Sequence, residues 1–318
     1  QFPEVVGDRR ILRFLQGYAM NVEKAAAAMS QFLKWRIENN VDTIRDEIVN
    51  GKNNPKLFPR ADYILDKAPG IIISTKCLDK KGNPIAIESF GFHPHEVLKC
   101  LTVEEYITYL IYTLEFKILV LEQLSEERER AYLAHYTSQS SPSDPQNTED
   151  SNCNKPNDIY TTSTAERYGV IVYHTILRDL AGIGFEHIGA DGQNIISAAI
   201  KTAEKNYSEI LYKTYMVNSP WIFQTLWYFI QALLDPRTAA KVSILGSDYH
   251  STLLNEIEKD NIPVQLGGTL EIDNETFEFD IKEGGLLYTP EIDIERKSHY
   301  EETTAPPEKD RNEIRIEM

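Results

Sequence analysis

The sequence predicts an α/β fold, with a small helical N-terminal subdomain followed by a mainly parallel sheet and crossover helices. Three observations predict it. The first fifty residues carry helical periodicity only. From Gly70 to about Glu258, short β-like runs alternate with helix-length patterns, as a parallel sheet with crossovers requires. The short apolar run Tyr212–Val217 leads through Asn218-Ser219-Pro220 into a helix that is apolar over most of its circumference. The expected organisation is a helical region at 1–58, an α/β domain at 59–290 and an acidic tail at 291–318.

Taken in order, Arg9–Tyr18 places Ile11, Leu12, Phe14 and Leu15 at helical spacing. Asn21 is an N-cap for a second helix, Val22–Ile37, and the two are read as a hairpin. Asp42-Thr43 opens a short third helix, and Gly51–Pro59 is a polar connector. Gly70–Leu78 and Pro84–Phe90 flank the turn sequence Asp79-Lys-Lys-Gly-Asn83, a hairpin signal. Thr102 caps a long helix from Val103 to about Tyr132. Residues 137–164 are rich in Ser, Thr, Pro, Asn and Asp, and are expected to be a disordered insertion. Tyr168–Tyr173 starts a β-run that ends at the Asp179–Gly182 loop. A helix at Gln193–Asn206, the strand Tyr212–Val217, a strand at Ala239–Leu245 and a helix at Tyr249–Glu258 complete the domain.

The apolar helix is expected to start at Ser219-Pro220, since Ser is a good N-cap and Pro fits a first turn. Asp235-Pro236 stops it after Leu234. Gln224, Tyr228 and Gln231 form one narrow polar stripe. Such a helix must meet apolar material on two sides. It is either a core helix between layers or a lid between an apolar cavity and a membrane.

Composition excludes several classes. The chain has 318 residues and a net charge of −16, which argues against a nucleic-acid partner needing a basic face. Three cysteines without metal-ligand spacing imply no disulfide framework and a reducing compartment, so the glycosylation-type patterns at Asn206 and Asn274 carry no weight. No run reaches the ~18–20 apolar residues of a membrane span. The sequence opens at Gln1 without an initiator Met or signal-peptide pattern, which is consistent with a fragment.

Catalytic chemistry is not legible. There is no P-loop, G-x-S-x-G or H-E-x-x-H, and Gly182-Ile-Gly184 fails as a dinucleotide loop because His187 takes the third glycine's place. His93 and His95 lack a third ligand nearby in sequence, so no metal or cofactor is expected. His174 is either a hydrogen-bonded core histidine or a polar handle inside a pocket. Glu209, taken alone, is a solvated charge at a helix end.

Several ordered motifs resemble the CRAL-TRIO lipid-binding proteins of the Sec-fourteen type, the phosphatidylinositol-transfer class. They are Ile11-Leu-Arg-Phe-Leu15, Asn21–Ala25, Trp35-Arg36 and Val41–Ile44, then Asp79–Pro84, Asp179-Leu-Ala-Gly182 and Asn206–Glu209. The densest stretch runs from Tyr215 to Gly268 and includes Asn218-Ser-Pro-Trp-Ile-Phe223, Leu234-Asp-Pro236, Ile244–Ser247 and Ile262–Gly268. The resemblance implies a CRAL-TRIO domain in which the sheet floors an apolar pocket for one lipid. The helix at Pro220–Leu234 becomes a gate, its apolar positions including Trp221, Phe223, Trp227, Phe229 and Ile230, with Phe223 and Trp227 as gate surface. The implied function is non-catalytic lipid binding and intermembrane transfer by a cytoplasmic monomer that visits membrane surfaces transiently.

The resemblance also assigns site residues. Glu209 preserves an acidic head-group residue, although Ser208 replaces a proline before it. Gln231 stands where a gate lysine is expected, and Tyr18 and Ala19 where a basic pair is expected. His174 and Ile176 stand at pocket positions that carry hydroxyls in phosphatidylcholine-binding members. Tyr215 and Val217 are read as further pocket lining. The ligand is therefore expected to be a phospholipid, phosphatidylinositol first. A tocopherol, retinoid or sterol-like molecule is the alternative, and a scaffold with a vestigial pocket is another.

Overall fold

The computed structural model describes residues 2–52, 54–67, 70–89, 94–139 and 171–271. The insertion beyond 139 and the acidic tail lie outside them, as does His93.

Four helices form the N-terminal part: α1 (Pro3–Val6), α2 (Asp8–Gly17), α3 (Val22–Glu38) and α4 (Val41–Val49). Asn21 caps α3 as expected, its side chain accepting from Lys24 N at 2.9 Å. The buried face of α2 differs from the expected apolar one. Ile11 is half-exposed, while Arg10 and Arg13 are buried beside Phe14. Buried guanidiniums need rings and carbonyls. Arg10 stacks 4.5 Å over the Phe32 ring and donates to Asn206 O at 2.7 Å. Arg13 lies 5.1 Å over Tyr173 and donates to Val172 O and Glu209 O, both at 2.6 Å. Burial pushes the Arg10 pKa down to about 10. These bonds dock α2 against the chain entering the sheet's third and fourth strands.

A short helix, α5 (Ala61–Lys67), follows the connector and leads into β1 (Gly70–Leu78) and β2 (Pro84–Ser89). The two strands form the expected antiparallel hairpin. Its turn is held by Asp79, whose carboxylate accepts from Lys81 N at 2.9 Å, Asn83 N at 2.8 Å and Thr175 Oγ1 at 2.6 Å. Gly82 supplies the positive φ of 76° that this turn needs. After α6 (Pro94–Leu98), the long α7 (Val103–Gln139) opens on a reciprocal capping box between Thr102 and Glu105.

The remaining elements are β3 (His174–Asp179), α8 (Phe185–Ile188), α9 (Ala190–Asn206), β4 (Leu211–Val217), α10 (Phe223–Gln231), α11 (Pro236–Ala240), β5 (Val242–Ile244) and α12 (His250–Glu256). The sheet order is β1-β2-β3-β4-β5, parallel from β2 to β5. One face packs on α7, α9 and α10, and the other on α12 and the 262–266 segment.

Three expectations are corrected. Among the described residues the third strand begins at His174, because Val172 bonds Arg13 and Ser125 instead of pairing in the sheet, and the 168–170 part of the expected run lies outside them. Ala239 and Ala240 are helical, since Asp235 caps α11 by accepting from Arg237 N, and β5 shortens accordingly. The apolar helix spans only Phe223–Gln231, with turns on both sides.

Candidate functional site

A cavity of about 490 Å³ lies between the sheet and the helices α5, α7, α9 and α10. Its apolar walls include Ile72, Leu110, Leu114, Ile195, Ile200 and Ile230. That is the size range of small-molecule pockets. The strand side follows the two-residue period of a sheet. On β3, His174, Ile176 and Arg178 line the cavity, and on β4, Thr214 and Met216 do, with Leu211 joining them at the strand's first residue, before a register shift.

The same period settles the sequence-predicted lining residues. His174 and Ile176 are there. Tyr215 and Val217 are not. They alternate with Thr214 and Met216, face the opposite side of the sheet and pack with Leu253 and Ile257. This corrects the expectation, and the reason is that β4 is buried on both faces, so its apolar run does not reveal which face meets a cavity.

At one end the cavity is edged by a charged cluster around Glu209. Lys241 Nζ bonds Glu209 Oε2 at 2.6 Å and Leu211 O at 2.9 Å. Arg237 NH1 stands 3.9 Å from Glu209 Oε1 and donates to Gln16 O at 2.7 Å, while its other terminal nitrogen reaches Gly17 O. Arg237 remains 44% accessible, so this end meets solvent. Tyr18 lines it too. Gly17 lets α2 approach closely, since a Cβ there would stand 2.0 Å from Ser208 Oγ and would make that side chain turn away. Glu209 adopts a left-handed φ of 52°, uncommon for a side chain of its size.

Gln231 is exposed and does not line the cavity. The cations near Glu209 come instead from α11 and from Lys241 just before β5, which sequence reasoning missed. The signal was the Asp235-Pro-Arg-Thr-Ala-Ala-Lys241 segment itself, whose basic residues follow the helix stop at one-turn spacing.

On α10, Phe223 and Ile230 are buried against Ile196 and Met216, and Trp227 and Phe229 are half-buried. Phe223 is thus a core residue rather than gate surface. Trp221, just before α10, is 78% exposed and meets the exposed ring of Phe185 edge-on at 6.4 Å.

At the other end of the lining strands, Glu88 of β2 pairs with Arg178 of β3 and Lys117 of α7. Burial alone would raise the Glu88 carboxyl, but the adjacent Arg178 and Lys117 cations outweigh it and hold its pKa well below the usual carboxylate range. Burial, with Lys117 nearby, pushes the His174 pKa down to about 3, so this imidazole is neutral.

Among the described residues, no group of His, Cys, Asp and Glu is placed to hold a metal ion, and no helix is long and apolar enough to cross a membrane. His95 instead meets Asp191 at 3.2 Å.

Residues 68–268 match the CRAL/TRIO domain. The chain is 26% identical over 293 residues to the phosphatidylinositol/phosphatidylcholine transfer protein SFH11 of Arabidopsis thaliana, covering 91% of this chain and 62% of that protein. It is 28% identical over 303 residues to the SEC14 cytosolic factor of Eremothecium gossypii, covering 94% and 79%. The chain spans less than two thirds of SFH11 and 39% of the Arabidopsis thaliana relative SFH12. The crystal structure of Sfh5 superposes with a TM-score of 0.52 at 17% identity, over 80% of this chain and 68% of that one, a likeness of fold. With the domain match covering most of the chain, and the α/β architecture and its cavity behind it, the chain belongs to the CRAL/TRIO domain family.

Proposed function

We propose that this protein binds one phospholipid, of the phosphatidylinositol or phosphatidylcholine class, and carries it between membranes without a catalytic step. The observation that carries the reading is the cavity itself, apolar along its walls and edged at its exposed end by Glu209, Lys241 and Arg237. Burying an acyl chain is worth about 0.8 kcal/mol per methylene, so a closed pocket offsets extraction from a bilayer. Lys241 and Arg237 supply the charge-assisted donors that a head-group phosphate needs. The names of the relatives SFH11 and SEC14 cytosolic factor support the same reading.

In this mechanism α10 is the gate. Ile230 closes the cavity, and the exposed Trp221 enters the membrane interface while the helix moves. The cavity is lined by one chain, so a monomer suffices, acting in the cytoplasm with transient membrane contact.

The test is native mass spectrometry after incubation with mixed liposomes, followed by transfer assays between donor and acceptor vesicles. One phosphatidylinositol or phosphatidylcholine per chain, with vesicle-to-vesicle transfer, is the expected result. A bound sterol or isoprenoid instead would make the protein a carrier of another hydrophobic ligand. No lipid of any kind would leave a scaffold.

A further inference from the structure

The Glu88 end of the cavity is a second polar place, distinct from the Glu209 end. His174 N bonds Ile210 O at 2.9 Å, beside Glu209, whereas Arg178 lies four residues further along β3, about 13 Å at strand rise. Glu88 and Arg178 are neighbours across the parallel β2–β3 pair. Arg178 Nε donates to Glu88 Oε2 at 3.0 Å, and Lys117 Nζ to Oε1 at 3.3 Å. Glu88 keeps 27% of its side-chain surface accessible while deep in the fold, so that surface faces the cavity.

The donor count is unbalanced. Both Glu88 oxygens are occupied by cations. Lys117 carries three N–H donors, and the one long bond to Glu88 uses one of them. Tyr106 also lines this region, and burial pushes its pKa up to about 12, so its hydroxyl stays protonated. Between the two ends, within electrostatic reach of Lys117 and Glu88, His174 lines the cavity on the same face of β3 as Arg178, and its buried Nδ1 has no hydrogen-bond partner. A buried polar atom without a partner costs free energy until something meets it. Such a place is unsuited to a cationic group such as choline, whose natural partner, Glu88, is already engaged.

We propose that this end of the cavity is an anion subsite, and that, as an alternative to the phospholipid whose phosphate meets Lys241 and Arg237, the protein takes an anionic lipid whose carboxylate or phosphate is drawn inward to Lys117, beside Arg178. The inference deepens the lipid-carrier reading and rests on it for ligand entry.

The experiment compares charged lipids with uncharged counterparts by displacement of a fluorescent acyl probe. Oleate is set against oleyl alcohol, and dioleoyl phosphatidic acid against dioleoylglycerol, with phosphatidylcholine loading measured in parallel. The unmodified protein is expected to prefer an anion at least about tenfold over its uncharged counterpart, the effect of about 1.4 kcal/mol. Lys117→Met should remove most of that preference and Glu88→Gln should increase it. Opposite signs from neighbouring substitutions do not arise from general loss of structure. Preference for oleate alone assigns the subsite to free carboxylates, and for phosphatidic acid alone to phospholipid head groups. Equal binding of charged and uncharged lipids by the unmodified protein overturns the subsite, even if phosphatidylcholine loads normally. Failure of phosphatidylcholine and phosphatidylinositol to load, with oleate still preferred, would instead remove the transfer reading.

Discussion

Lys241 and Glu209 meet at 2.6 Å across 32 residues of chain, joining the start of β5 to the turn that precedes β4. Between them in sequence lie β4, α10 and α11, so the pair clasps the base of the whole proposed gate. Arg13 holds the Glu209 carbonyl from the N-terminal side, and Arg237 ties the same place to the end of α2. The proposed head-group end of the cavity is therefore assembled from three separate parts of the chain. Lys241→Met should lower phosphatidylinositol loading by roughly tenfold or more, if one charge-assisted contact to phosphate is lost. The far-ultraviolet circular dichroism should not change. Glu209→Lys should impair loading as well, with the fold retained. Loading that is unchanged in both variants would remove this cluster from the lipid site.

Trp221 tests membrane contact separately from lipid capacity. It is 78% exposed, outside the core under α10, and its nearest aromatic partner, Phe185, is 70% exposed. Aromatic side chains favour the membrane interface. The chain's net charge of −16 gives anionic vesicles no general attraction, so insertion of apolar side chains has to carry docking. Trp221→Ala should weaken sedimentation with phosphatidylcholine vesicles several-fold and slow transfer, while the urea midpoint moves little. A variant that sediments like the parent would place membrane docking elsewhere.

Phe223, two residues on, behaves oppositely. It is 1% exposed and packed among Ile222, Leu226 and Ile196 in the core beneath α10. Phe223→Ala should cost about 3–5 kcal/mol of unfolding free energy, as large aromatic truncations in cores do. The contrast with Trp221 is measurable in one urea series. A cost under about 1 kcal/mol would mean that Phe223 is not held in the core in solution.

Much of the architecture could be read from local pattern because local chemistry decides it. Asn21, Thr102 and the Asp79–Asn83 turn act within a few residues, and each does in the structure what its residue type suggests. The site was less legible for two physical reasons. β4 is apolar on both faces, so Tyr215 and Val217 could not be told from Thr214 and Met216 without knowing the sheet's orientation. The ion pairs of the cavity join residues far apart in the chain, 32 for Lys241–Glu209 and 90 for Arg178–Glu88, and no periodicity marks them. α2 shows the same limit, because its buried arginines look solvent-facing until Phe32, Tyr173 and the carbonyls of Asn206 and Glu209 are brought to them.

His174 makes stability depend on pH in a defined window. Its pKa is held down to about 3 by burial and by Lys117, against about 6.5 in an unfolded chain. Between these values the unfolded chain binds a proton that the native one does not, so native stability falls as pH falls. Each pH unit is worth at most about 1.4 kcal/mol, so acidification from 6.5 to 5 should remove on the order of 2 kcal/mol through this one residue. Glu88 acts in a lower window. Its native pKa is depressed, so its contribution is present above the unfolded value of about 4.3 and is lost only as pH falls below it. The carboxyls of Glu4 and Glu204, raised by burial, act with the opposite sign, so the histidine is isolated by comparing a variant with the parent in urea unfolding between pH 5 and 6.5. His174→Asn, which cannot titrate, should flatten the profile over that range relative to the parent. Parallel profiles for the two proteins would mean that His174 is protonated, or solvated, in the native cavity.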